Sequence, residues 1–159
     1  PYWDWAANSV PPPEVISQTT VSIQVADGTT QTVDNPLYQY TFQPVSDGGF
    51  DAPYNAWNTT LRCPDSSDAD AQTDPDALVG NPTGTRGTAA AQIKHATYVM
   101  LSQTTQWVNF SNHSRDINPS YASSLESIHD QIHNYVGGEN GGHMADPTVA
   151  GHDPIFFLH

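Results

Sequence analysis

Histidine is unevenly spread along this chain: five of its seven copies lie in residues 127–159, SIHDQIHNYVGGENGGHMADPTVAGHDPIFFLH. His129 and His133 are four apart, and Glu126 precedes the first by three. Positions i, i+3, i+4 and i+7 of a helix share a face, so Glu126, His129 and His133 would point the same way. Two imidazoles one turn apart make a bidentate clamp for a transition metal, and neutral imidazole suits copper, zinc and iron alike. A zinc hydrolase would carry H-E-x-x-H with the Glu as base; Asp130 follows His129 here, so that signature fails. His159 ends an apolar run that starts behind Asp153-Pro154, and Asp at the N-cap with Pro at the first helical position is a helix start. Three elements must therefore position the chemistry: a helix with two histidines, a loop through Gly137, Gly138, Gly141 and Gly142, and a second helix bringing another histidine inward. His143, His152 and His159 stay open as the third donor; His143 reads first as a structural loop residue.

Two signatures point to one family. L-E-x-x-H-x-x-x-H, then G-G…G-H-M, then D-P-I-F-F-L-H, resembles the second copper half-site of tyrosinases and catechol oxidases. Pro1-Tyr2-Trp3-Asp4-Trp5 resembles the P-Y-W-D-W that follows the first copper half-site in the same family. The matches lie at opposite ends of the chain in the family's order, while residues 6–115 carry no matching motif. The resemblance implies a mainly α-helical fold, a helical-bundle core of four helices wrapped by long irregular loops. It implies two coppers, each held by three histidines, with His129 and His133 as ligands of the second. His159 then matches the first of two adjacent histidines, of which the second is the usual third ligand. Residues 1–159 are on this reading a single segment of a tyrosinase copper-binding domain, with the first copper half-site and the last ligand outside it.

The implied reaction is oxidation of o-diphenols to o-quinones by dioxygen, with phenolic small molecules as substrates. By resemblance Glu126 helps fix a water and assists phenol deprotonation. Its usual partner is an Asn directly after the first ligand; here that place holds Asp130. A carboxylate there changes charge and donor capacity and could restrain a histidine from outside the ligand set. This favours catechol oxidase over a tyrosinase that also hydroxylates monophenols. Phe156, three before His159, matches the family's gate residue over the second copper, and fits a core aromatic at helical spacing equally well. Three rival classes stay open: an oxygen carrier, a mononuclear metal-binding module, and a non-catalytic secreted glycoprotein.

Composition sets outer bounds. Seventeen acidic residues against four Lys+Arg give a net charge of −13. Binding to nucleic acid or to an anionic membrane surface needs clustered cations, so both are excluded as expected partners. No run of eighteen apolar residues marks a membrane span. Three N-x-S/T sequons, at Asn58, Asn109 and Asn112, favour secretion, and the single Cys63 then suggests a partner elsewhere or a buried thiol.

Along the chain, Tyr2, Trp3 and Trp5 read as core packing, and Asp4 would need a partner if buried. Thr20–Val33 alternates around Asp27-Gly28, a hairpin signal. Thirteen Pro and eleven Gly predict long irregular stretches. The acidic segment 65–76 reads as a solvated loop, since its spacing fails the calcium-loop pattern. Residues 88–106 form a helix candidate with a broad apolar face of Ile93, Ala96, Tyr98, Val99 and Leu101, among which His95 reads as a packed residue. The histidine helix is expected from about Ser120 or Tyr121 to Val136, behind the break at Asn118-Pro119.

Overall fold

The computed structural model describes residues 2–43, 49–80, 85–115 and 124–159. Its elements in chain order are α1 (Pro13–Ile16), β1 (Thr20–Gln24), β2 (Thr30–Asp34), α2 (Pro75–Val79), α3 (Thr85–Gln103), α4 (Trp107–Ser111) and α5 (Leu125–Gly137), with short 3-10 turns between and after them. The architecture is mainly helical with one antiparallel hairpin, as expected. Among the described residues only α3 and α5 are long helices, where the resemblance implies four.

The hairpin forms because Asp27-Gly28 closes it. Gly28 has φ +84, open to glycine at no steric cost, and the Asp27 carboxylate accepts from the Thr29 N–H and hydroxyl. Thr20 to Gln24 pair with Asp34 to Thr30, and most of both strands is exposed. It lies mostly on the surface.

The core is built on α5. Ile128, Ile132 and Val136 are spaced by one turn and are essentially fully buried. Each contributes roughly 1.5–3 kcal/mol by leaving water. Burying that stripe leaves His129 and His133, one position further round, half-buried on its flank. Ser124 fixes the start of α5, its hydroxyl accepting from the Ser127 N–H while the Ser127 hydroxyl accepts from the Ser124 N–H. The expected start at Ser120 or Tyr121 lies outside the described residues; α5 proper begins at Leu125 because the Ser124 backbone is extended. The exit is set by Gly138, whose φ is +73 and whose added Cβ would stand 2.8 Å from the Cys63 Cα. No side chain fits there.

α3 packs against α5 with a narrower stripe than expected: Ile93, Ala96 and Met100 are buried, whereas Tyr98 and Leu101 are 65% and 68% exposed. His95 is exposed too and not a packed core residue. The 3.6-residue period explains this, since positions 93, 96 and 100 share a line that 95, 98 and 101 leave.

The two ends of the chain meet. The Trp3 N–H donates to the Leu158 carbonyl at 2.7 Å, and the Trp5 indole donates to the His159 carbonyl at 2.7 Å. Trp3 is buried and Trp5 partly buried as expected, but Tyr2 is 80% exposed. Asp4 is exposed as well and accepts from the Ala7 N–H, so it needs no charged partner. Beneath this junction lies a fully buried ion pair. The Arg62 Nε donates to both Asp153 oxygens at 2.9 and 3.0 Å, and its terminal nitrogens reach Asp153 and the carbonyls of Val15 and Leu37. Asp153 also accepts from the Ile155 N–H, capping the 3-10 turn Pro154–Phe157. One guanidinium thus ties the first third of the chain to the segment that ends in His159.

Candidate metal centre

His129 and His133 come from consecutive turns of α5, and His159 comes from the end of the 3-10 turn that Asp153 caps. The three are half-buried, and one potential ligand atom from each lies within 4.8 Å of the other two. The His129 and His133 Nε2 atoms are 3.2 Å apart. The His159 ring stacks on His129 at 4.8 Å and meets His133 edge-on at 4.6 Å.

The hydrogen bonds set which nitrogen faces inward. The His133 Nδ1 lies 2.7 Å from the Met144 carbonyl, and the His159 Nδ1 lies 2.7 Å from the Phe156 carbonyl. A carbonyl only accepts, so both Nδ1 atoms carry the proton and both Nε2 atoms keep a lone pair. This backing by acceptors behind the ligand is the arrangement that orients metal-binding imidazoles. The His159 Nε2 is buried and has no hydrogen-bond partner. Burial chiefly lowers the His159 pKa, offset by the bond to Phe156, and the neighbouring His133 and His129 lower it further. The net shift favours the neutral ring, the form that ligates a metal. A buried lone pair without a partner, converging with two more imidazoles, fits a resident transition-metal ion.

By resemblance the third donor is a histidine after His159, outside this chain; within the chain His159 is the residue that clusters with His129 and His133. Its bottom-up signal was the apolar run behind Asp153-Pro154. His143 and His152 lie elsewhere. His143 is fully buried among Phe42, Tyr54 and Trp57, and its Nδ1 accepts from the Leu61 N–H. His152 is exposed beside Tyr40, Phe42 and Phe50.

Two cavities flank the triad. One of about 540 Å³ is lined by His129, Asp130, His133, Asn134, Ala145, Pro147 and Phe156. The other, about 630 Å³, is lined by Trp5, Ser111, Asn112, Leu125, Glu126, His129 and His159. Phe156 is about one-third exposed and meets the His133 ring edge-on at 5.9 Å. Glu126 and Asp130 share a neighbour the sequence did not flag, His113. Its N–H donates to the Glu126 carboxylate at 2.9 Å, and its Nδ1 lies 3.1 Å from Asp130 and 3.5 Å from Glu126. Asp130 also approaches the His129 Nδ1 at 3.6 Å.

The family whose description reads "Common central domain of tyrosinase" matches residues 1–159. The chain belongs to the tyrosinase family. Over its whole length it is 39% identical to polyphenol oxidase 4 of Agaricus bisporus and 32% identical to a tyrosinase of Neurospora crassa, covering 25% and 23% of those proteins. Its fold superposes on a recombinant mushroom tyrosinase with a TM-score of 0.81 at 39% identity, covering all of this chain and 28% of that one. The tyrosinase segment described here thus spans about a quarter of the length of the curated relatives it matches. Copper is the cofactor this membership implies, and the all-imidazole donor set suits it.

Proposed function

We propose that the protein containing this segment oxidises o-diphenols to o-quinones with dioxygen, using a pair of coppers of which this chain holds one through His129, His133 and His159. The observation that carries the proposal is the convergence of three imidazoles, two with Nδ1 tied back to carbonyls, on cavities large enough for one benzene ring. Bound copper would supply the redox centre at which dioxygen is reduced. The balance is two o-diphenols losing two electrons and two protons each, and one dioxygen taking up all four of each to leave as two waters.

The side chains supply the rest. Phe156 offers an aromatic wall beside His133 against which a phenol ring can pack. Glu126 and Asp130 are the groups able to accept phenolic protons, and His113 holds both on the α5 face. Hydroxylation of monophenols is the second reading, favoured by Glu126 standing at the wall of the cavity next to His129 and His159. Asp130 weighs against it, by adding negative charge where a phenolate would have to approach. An extracellular location goes with the proposal: Asn58 and Asn112, heads of two sequons, are exposed, and glycosidase-sensitive mass on secreted material would test it.

The test is an oxygen-electrode assay on the full-length protein, loaded with copper and given 4-methylcatechol. One dioxygen consumed per two catechols, with two coppers bound per chain, supports the proposal. Two bound coppers without catechol consumption would leave an oxygen carrier in its place, and a single bound metal would leave a mononuclear module.

A further inference from the structure

The cavity beside the triad has a charge as well as a shape. Asp130 and Asn134, one helical turn apart on α5, line the same cavity as His129, His133 and Phe156. Glu126 lines the cavity on the other flank. The side chains of Glu126 and Asp130 are 43% and 48% exposed. Among the described residues no Lys or Arg lines either cavity. His113, the imidazole shared by the two carboxylates, can balance at most one of them in its protonated form and neither in its neutral form. Asp130 therefore puts a half-exposed carboxylate on the wall of the cavity that Phe156 lines, with no described Lys or Arg there to offset it. The charge of −13 on the whole chain adds a field of the same sign.

We infer that this site selects phenols whose ring substituent carries a protonated amine over phenols whose substituent carries a carboxylate, with Asp130 setting the preference. The inference rests on the oxidase reading above. Asp130 is assigned because it lines the same cavity as Phe156. Glu126 is turned to the other flank, where it accepts the His113 N–H. A half-exposed carboxylate acting on a charge roughly 7 Å away, through an effective dielectric between that of protein surface and water, changes kcat/KM about 3–10-fold for either sign.

The experiment compares dopamine, 4-methylcatechol and 3,4-dihydroxyphenylpropionate as substrates of the full-length copper-loaded protein, at low and high salt. The expected order of kcat/KM is amine, neutral, carboxylate, with about 10-fold or more between the extremes. That ratio should narrow as salt screens the half-exposed charge, and it should narrow in Asp130→Asn, read as a ratio so that any change in overall rate cancels. A ratio near one, or inverted, with 4-methylcatechol still oxidised would overturn the inference and leave the oxidase reading intact. A ratio unchanged in Asp130→Asn overturns the assignment to Asp130. Where that variant fails to fold, the unaltered protein still decides, because a ratio insensitive to salt is not electrostatic. Failure to oxidise any of the three catechols takes down the oxidase reading and this inference with it.

Discussion

Two groups of imidazoles in this tyrosinase segment are built from the same residue and differ in which nitrogen the backbone holds. In His133 and His159 a carbonyl accepts from the Nδ1–H, and the Nε2 keeps its lone pair on the side of the neighbouring imidazoles. In His143 a backbone N–H from Leu61 occupies Nδ1, so the proton sits on Nε2 and no lone pair is left. Three aromatic rings pack around it, and the His143 N–H returns a bond to the Leu61 carbonyl. One arrangement presents donors to a metal; the other locks a loop. Asp153 stands between them, capping the turn that delivers His159 and, by its charge, partly opposing the burial that lowers the His143 pKa.

Removing His133 should break the first arrangement outright. His133→Ala takes away one of three donors while leaving the stripe of Ile128, Ile132 and Val136 intact. Loss of an outer partner costs about 10–100-fold in metal affinity or activity; loss of a ligand should exceed that, with one copper fewer per full-length chain and catechol turnover below detection. His159→Ala, assayed for copper in the same way, decides whether His159 or the histidine expected after it is the third donor. Full copper content in that variant would assign the site to the later residue.

Arg62 tests the element both groups share. Arg62→Met leaves the Asp153 carboxylate buried without its counter-ion, and breaking such a pair costs about 3–5 kcal/mol. Urea denaturation should show it, and the double change Arg62→Met with Asp153→Leu should recover part of the loss, since two charges then leave together. The recovered protein should still lack an ordered His159, because the cap on Pro154–Phe157 goes with Asp153. Equal stability of the single and double variants would contradict the ion-pair account.

How much of this was legible in the sequence follows from the physics of each feature. The His129/His133 pair, the Asp27-Gly28 hairpin and the Asp153 cap are local: spacing and backbone preference place them. His95 and the exposed Tyr98 and Leu101 were misread because an apolar count over a helix does not say which line faces the core. His113 was invisible, since its tie to Glu126 and Asp130 spans thirteen to seventeen residues. The same holds for Arg62, 91 residues from Asp153. The imidazole tautomers are the deepest case: GHM and IHN carry the same imidazole, and only the folded neighbours decide which nitrogen keeps the lone pair.

His143 sharpens the comparison through pH. Burial lowers its pKa to about 4, from an ordinary value near 6.5, with Asp153 partly opposing the shift. The unfolded chain therefore binds a proton across that interval that the folded chain does not, so this contribution to stability is complete above about pH 6.5 and is lost as pH falls toward 4. His143→Phe should remove that part of the acid dependence. It should also lower stability at pH 7 by about 1–3 kcal/mol, because the Leu61 N–H loses its buried acceptor. Thermal unfolding at several pH values reads both effects, and an unchanged acid slope would show that His143 is not the group responsible.

The smallest expected effect comes from Trp5, and it separates positioning from packing. Its indole N–H is 2.7 Å from the His159 carbonyl and its ring lines the cavity beside His129 and His159. Trp5→Phe keeps an aromatic body but deletes that hydrogen bond, worth about 1 kcal/mol in net stability. His143 has no link to Trp5, so the pH dependence it confers should be untouched. His159 does, so the loss should appear as weaker retention of the second copper against a chelator, about 10-fold if the indole acts as an outer restraint on that ring. A fall in stability with no change in copper retention would mean that the indole holds the two chain ends together without orienting the His159 imidazole, and that the Phe156 carbonyl suffices to aim it.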